Sequence, residues 1–156
     1  MKKILLVLIC SLIALNSFSQ QSKYCKKIKM KVDKFDNDTT YTSPIGGTMG
    51  WITFVKKADI TFMSLRTFGK TISVFKKGVI VLLEDGNKIK KPFAEINSEA
   101  VSKGYVYSSF FKLNDEDIEL LIASPITDYR LYIYEGKPVK KNSRVYQEIL
   151  KCLKNK

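Results

Sequence analysis

The sequence predicts an α+β domain, mainly antiparallel β in a sandwich-like or curved sheet, with one helix near 114–123 and a C-terminal helix near 143–154. Three observations predict it. Apolar residues alternate with lysines at period two over residues 26–35. Asp85-Gly86 supplies a tight hairpin turn, since glycine readily takes positive φ. Helical periodicity arrives late instead of alternating with strands, which argues against βαβ units.

Residues 26–35 begin the strands, with Ile28, Met30 and Val32 pointing one way and Lys27, Lys29 and Lys31 the other. Asp36-Asn37-Asp38 reads as a turn into a short strand at Thr39–Thr42, broken by Ser43-Pro44. Gly50–Val55 and Asp59–Thr67 are the next strands, joined around Lys56-Lys57, and Thr71–Phe75 is read as another. Val79–Leu83 is apolar throughout and predicts a central strand covered on both faces. Its partner returns over Lys88–Lys91 and ends at Pro92; Tyr105–Leu113 is a long aromatic strand.

Asn114 suits a helix N-cap, and Asp115, Glu116 and Asp117 place negative charge on the positive end of that helix. Ile118, Leu121 and Ile122 form its apolar stripe, and Pro125 stops it. Ile126–Tyr134 reads as one strand, followed by a turn at Glu135–Pro138. The last helix starts at about Ser143, with Val145, Ile149, Cys152 and Leu153 on one face.

The order of these parts resembles that of small exported bacterial proteins with no assigned activity. The likeness rests on an apolar leader with Lys2 and Lys3 ahead of the run Ile4–Leu15, the Val79–Leu83 strand with its turn, the Tyr129–Tyr132 stretch and the helix ending at Cys152. It implies export and nothing about activity.

Residues 1–19 read as a secretory signal peptide and 20–156 as a single globular domain. Lys2 and Lys3 give the positive start, Ile4–Leu15 the apolar run, and Ser17 and Ser19 the small residues before a cleavage that leaves Gln20 first. The competing reading, an uncleaved anchor, needs roughly 20 apolar residues. A lipoprotein would need a modified cysteine, and Cys10 sits mid-run behind Ile9. The expected location is therefore exported, periplasmic or extracellular.

The chain carries 27 Lys and Arg against 15 Asp and Glu, a net charge of +12, and loss of Lys2 and Lys3 lowers this to +10. Such a surface attracts anionic partners. The lysines are spread and no recognition helix is evident, which points away from nucleic acid and toward an envelope protein or anionic envelope polymer. Cys25 and Cys152 remain after cleavage, and an oxidising compartment predicts a bridge between them. Two separate thiols are the alternative, with Cys152 filling a core-facing helix position.

The chain contains no histidine. This removes Ser-His-Asp and Cys-His arrangements and the common histidine-containing zinc sites. The acids at 115–119 are explained by helix capping, and those at 84–85 by the hairpin turn. The glycine-rich segment 43–50 leads into a strand rather than a helix, unlike a phosphate loop. Asp33, Asp36 and Asp38 lack the glycine and distal glutamate of an EF-hand. No catalytic residue, metal site or cofactor is expected, and the chain reads as a non-enzyme. The place to look for recognition is Arg130, Tyr132 and Tyr134, residue types enriched at binding hot spots and expected on one strand face. A non-catalytic binding module is the leading expectation. A carrier of a lipid or small apolar ligand, and an inhibitor or immunity protein of a secreted enzyme, are its alternatives.

Overall fold

The computed structural model describes residues 23–44 and 51–156; the expected leader and residues 45–50 of the glycine-rich segment lie outside the described residues. A 3-10 turn at Cys25–Lys27 precedes β1 (Lys29–Val32), β2 (Thr39–Thr42), β3 (Ile52–Lys57), β4 (Ile60–Gly69), β5 (Lys76–Leu83), β6 (Lys88–Val101) and β7 (Gly104–Leu113). Then come α1 (Asp115–Ala123), β8 (Ile126–Leu131), β9 (Tyr134–Gly136) and α2 (Lys140–Lys154). The nine described strands form one sheet in the order β1-β2-β3-β4-β7-β6-β5-β8-β9, every neighbouring pair antiparallel. The α+β class, mostly antiparallel with a C-terminal helix, is what the alternation predicts.

The sheet curls. β9 comes round to β4, where Thr67 Oγ1 donates to the Glu135 carbonyl at 2.7 Å and the Tyr129 hydroxyl donates to the Arg66 carbonyl at 2.6 Å. Strands β4, β7, β6, β5, β8 and β9 thus form a barrel-like wall, and β1–β3 extend from it as an apron. Period-two alternation sends Phe54, Met63, Leu65, Val79, Val81, Tyr107, Tyr129 and Leu131 inward, all buried. Each such side chain stabilises the fold by about 1.5–3 kcal/mol relative to exposure.

Helix α2 lies over the same face. Val145, Tyr146, Ile149, Leu150 and Leu153 make its buried stripe, and Tyr146 meets Phe54 edge to face with centroids 6.1 Å apart. Cys152 sits at disulfide distance from Cys25, Cα to Cα 5.3 Å, so the pair ties the opening turn to the last helix. Asn114 and Asp117 form a reciprocal capping box on α1, and Asp117 also receives the Lys91 ammonium. Among the described residues, no helix is long and apolar enough to cross a membrane.

Four elements differ from expectation. β6 continues past Pro92 to Val101, because Pro92 falls where the β5–β6 register shifts around Gly78 and costs no ladder hydrogen bond there. The stretch Ile126–Tyr134 is two strands, split by a turn at Tyr132-Ile133 with Tyr132 at φ 56°. Thr71–Phe75 is a loop. β1 spans only Lys29–Val32, and as the sheet's edge strand it leaves Met30 and Val32 exposed.

Candidate functional site: an apolar, acid-free rim

Strand register sorts the loops into two ends. The turns 33–38 and 58–59, the hairpin 84–87 and the entry to α1 at 114–116 share one end, because Val32 pairs Thr39, Lys57 pairs Ile60, Leu82 pairs Lys88 and Leu113 pairs Thr61. Asp33, Asp36, Asp38, Asp59, Glu84, Asp85, Asp115 and Glu116 all lie there. Backbone N–H groups of Phe35 and Asp36 hold the Asp33 carboxyl below its usual range, and that of Asn87 does the same for Asp85.

The opposite end carries the β4–β5 loop 70–75, the β6–β7 turn 102–103 and the β8–β9 turn 132–133. These three loops contain no Asp or Glu and include Lys70 and Lys103; Lys76 and Lys77 open the adjoining strand β5.

Loop 70–75 is built with its polarity reversed. Tyr107 and Tyr134 stack at 4.0 Å between centroids, 10° from parallel, and their hydroxyls reach the loop from within. The Tyr107 hydroxyl donates to the Thr71 carbonyl and accepts the Ser73 N–H at 2.9 Å. The Tyr134 hydroxyl donates to that same carbonyl at 2.8 Å, with Ser73 Oγ at 2.9 Å and Thr71 Oγ1 at 3.1 Å. Gly69 makes the stack possible: a Cβ there would lie 2.5 Å from the Tyr134 ring.

With the Thr71 and Ser73 hydroxyls engaged by Tyr134, Ile72 and Val74 stand exposed, as does Thr71 itself, and Phe75 is 96% exposed. The electrostatics follow the same geometry. Hydrogen bonds from Ser73 and Thr71 lower the pKa of the Tyr134 phenol, whereas burial raises that of Tyr107.

The turn Tyr132-Ile133 stands beside this loop. The Tyr132 N–H donates to the Gly78 carbonyl at 2.9 Å, and Lys76 Nζ lies 5.0 Å from the Tyr132 ring centroid. Phe75 and Tyr132 both hold φ 56°, a left-handed conformation costly for an aromatic residue, and both are exposed.

The residues expected to form one recognition face are therefore divided. Arg130 is exposed on the outer wall, where the Glu135 carboxylate takes its guanidinium. Tyr132 joins the rim, and Tyr134 turns inward onto Tyr107. Sequence reasoning missed Ile72, Val74 and Phe75, because Thr-Ile-Ser-Val alternation reads as a half-buried strand with its apolar side in. Only the two distant tyrosine hydroxyls invert that choice. A second feature, an open cleft of about 760 Å³, lies at the acidic end between α2 and the β8 entry, lined in part by Pro125, Ile126, Pro138 and Arg144.

No protein-family model, no curated protein and no solved structure matches the chain.

Proposed function

We propose that this protein is a non-catalytic binding module of the cell envelope, exported by its leader, that engages its partner through the rim of loops 70–75, 102–103 and 132–133. One observation carries the reading: the hydroxyls of Thr71 and Ser73 are spent on the Tyr134 hydroxyl while Ile72, Val74 and Phe75 stand exposed. Water gains nothing from that arrangement, and a partner surface does. The Cys25–Cys152 pair suits an oxidising compartment.

The test is quantitative capture from envelope extract with the wild-type chain and with the double variant Ile72→Ser, Phe75→Ser. Material retained by the wild type and lost from the variant supports the module. Equal retention by both, or none by either, counts against it.

A further inference from the structure

Resting on that reading, we infer that the occupant of the rim is an anionic phospholipid surface. Two properties of the rim favour a bilayer over a protein groove. First, its apolar side chains sit at the tips of separate loops: Ile72, Val74 and Phe75 on one, Tyr132 and Ile133 on the next. Among the described residues they stand on separate loops instead of lining one concave face for a partner's side chains. Tips of this kind enter the headgroup and upper acyl region of a bilayer, where aromatic and aliphatic groups gain by leaving water.

Second, the charge around them is one-signed. Lys70, Lys76 and Lys103 flank the tips, and no rim loop holds an acid, while eight acids lie in the turns and at the start of α1 at the far end. The two acids nearest on β6, Glu95 and Glu99, each lie 3.8 Å from a cation, Lys77 and Arg66. The rim thus offers a positive, apolar surface to a negative leaflet, whereas the far end gathers the turn acids together with lysines such as Lys34 and Lys57. Lys76 Nζ lies 5.0 Å from the Tyr132 ring centroid, so a lysine charge and an aromatic ring stand side by side at the rim.

The chain, purified after export with its N-terminus fixed by intact mass, is floated with vesicles of phosphatidylcholine and with vesicles containing equal phosphatidylglycerol. Binding to the anionic vesicles is expected to exceed that to the neutral ones by about tenfold or more at low salt and to weaken at high salt. Each of Lys70→Gln, Lys76→Gln and Lys103→Gln is expected to lower the partition about fivefold, and Ile72→Ser with Phe75→Ser about tenfold or more. Phe35→Ser, at the acidic end and 82% exposed in the wild type, is expected to change nothing. All five substituted rim residues are surface positions, and circular dichroism confirms folding of each variant.

A wild type that fails to float on anionic vesicles, or rim variants that float as it does, overturns the lipid assignment. If the wild type fails to float but the double variant loses a captured envelope protein, the rim stands as a protein-binding surface and only the lipid falls. If neither changes, both fall.

Discussion

Tyr134 lies flat on Tyr107, ring centroids 4.0 Å apart, and the two hydroxyls together hold the carbonyl of Thr71. The pair is the inner half of the site, because it decides which side of loop 70–75 meets solvent. Tyr107→Phe leaves the Ser73 N–H without its acceptor and is expected to cost about 1–3 kcal/mol. Tyr134→Phe keeps the stack, loses the hydroxyl contacts and is expected to cost about 1 kcal/mol. Denaturation midpoints measure both, and faster amide exchange confined to residues 70–75 identifies the loop as the part released.

A second tyrosine pair predicts changes of opposite sign. The Tyr146 hydroxyl is buried with no hydrogen-bond partner among the described residues, while that of Tyr129 donates to the Arg66 carbonyl. Tyr146→Phe is therefore expected to stabilise the protein by about 1 kcal/mol, and Tyr129→Phe to destabilise it by about as much. Urea unfolding at neutral pH reads the two signs directly.

The same two phenols give a pH dependence. Burial pushes both up to about 12 from the ordinary 10. The native state then keeps protons that the unfolded chain has released, so stability is full below pH 10 and falls as pH rises toward 12. Stability measured across that window is expected to decline more gently in the Tyr146→Phe variant.

Asp117 serves two partners at once, the N-terminal backbone of α1 and the Lys91 ammonium. Asp117→Ala removes half the capping box and strands a partly buried cation, an expected loss of about 2–4 kcal/mol. Asn114→Ala removes a cap alone, and about 1 kcal/mol is expected. Thermal unfolding of the two variants separates the contributions.

The Cys25–Cys152 pair closes a loop with a sequence separation of 127. Reduction, or Cys152→Ser, is expected to lower stability by up to about 4–5 kcal/mol, the chain-entropy ceiling for such a loop. The loss is expected to appear in unfolding curves with and without reductant, and to be absent from the serine variant on adding reductant.

Much of this fold is legible where local chemistry and tertiary placement agree. Val79–Leu83 is an unbroken apolar run and becomes part of β5, although only Val79, Val81 and Leu83 are buried and Ile80 and Leu82 stay half-buried on the outer face, which is not covered as expected; Gly86 takes φ 89° in the turn that Asp85-Gly86 announces; Asn114 caps as its side chain suggests. The cysteine pair is legible from parity and from the oxidising compartment that the leader-like start leads one to expect. Legibility ends where distant groups overrule local pattern. Thr71–Phe75 alternates like a strand, but hydroxyls 34 and 61 residues away along the chain, from Tyr107 and Tyr134 to Ser73, recruit its polar side instead. Tyr132 carries no turn residue's signature, yet the hairpin that brings β9 back along β8 bends there with φ 56°. That bend sends Tyr134 inside and Arg130 outside, so the sequence's aromatic-basic triplet never shares a face. Pro92 misleads for the opposite reason: the strand tolerates it because the register shift around Gly78 already interrupts the ladder.

Phe75 offers the most direct test of how the rim is used. The chain has a single tryptophan, Trp51, so Phe75→Trp in a Trp51→Phe background places one fluorophore at the most exposed rim position. On adding phosphatidylglycerol-containing vesicles, its emission is expected to shift to the blue and to be quenched by lipids brominated high on their chains. Emission that stays as red as in buffer and escapes that quenching would contradict a bilayer-seeking rim.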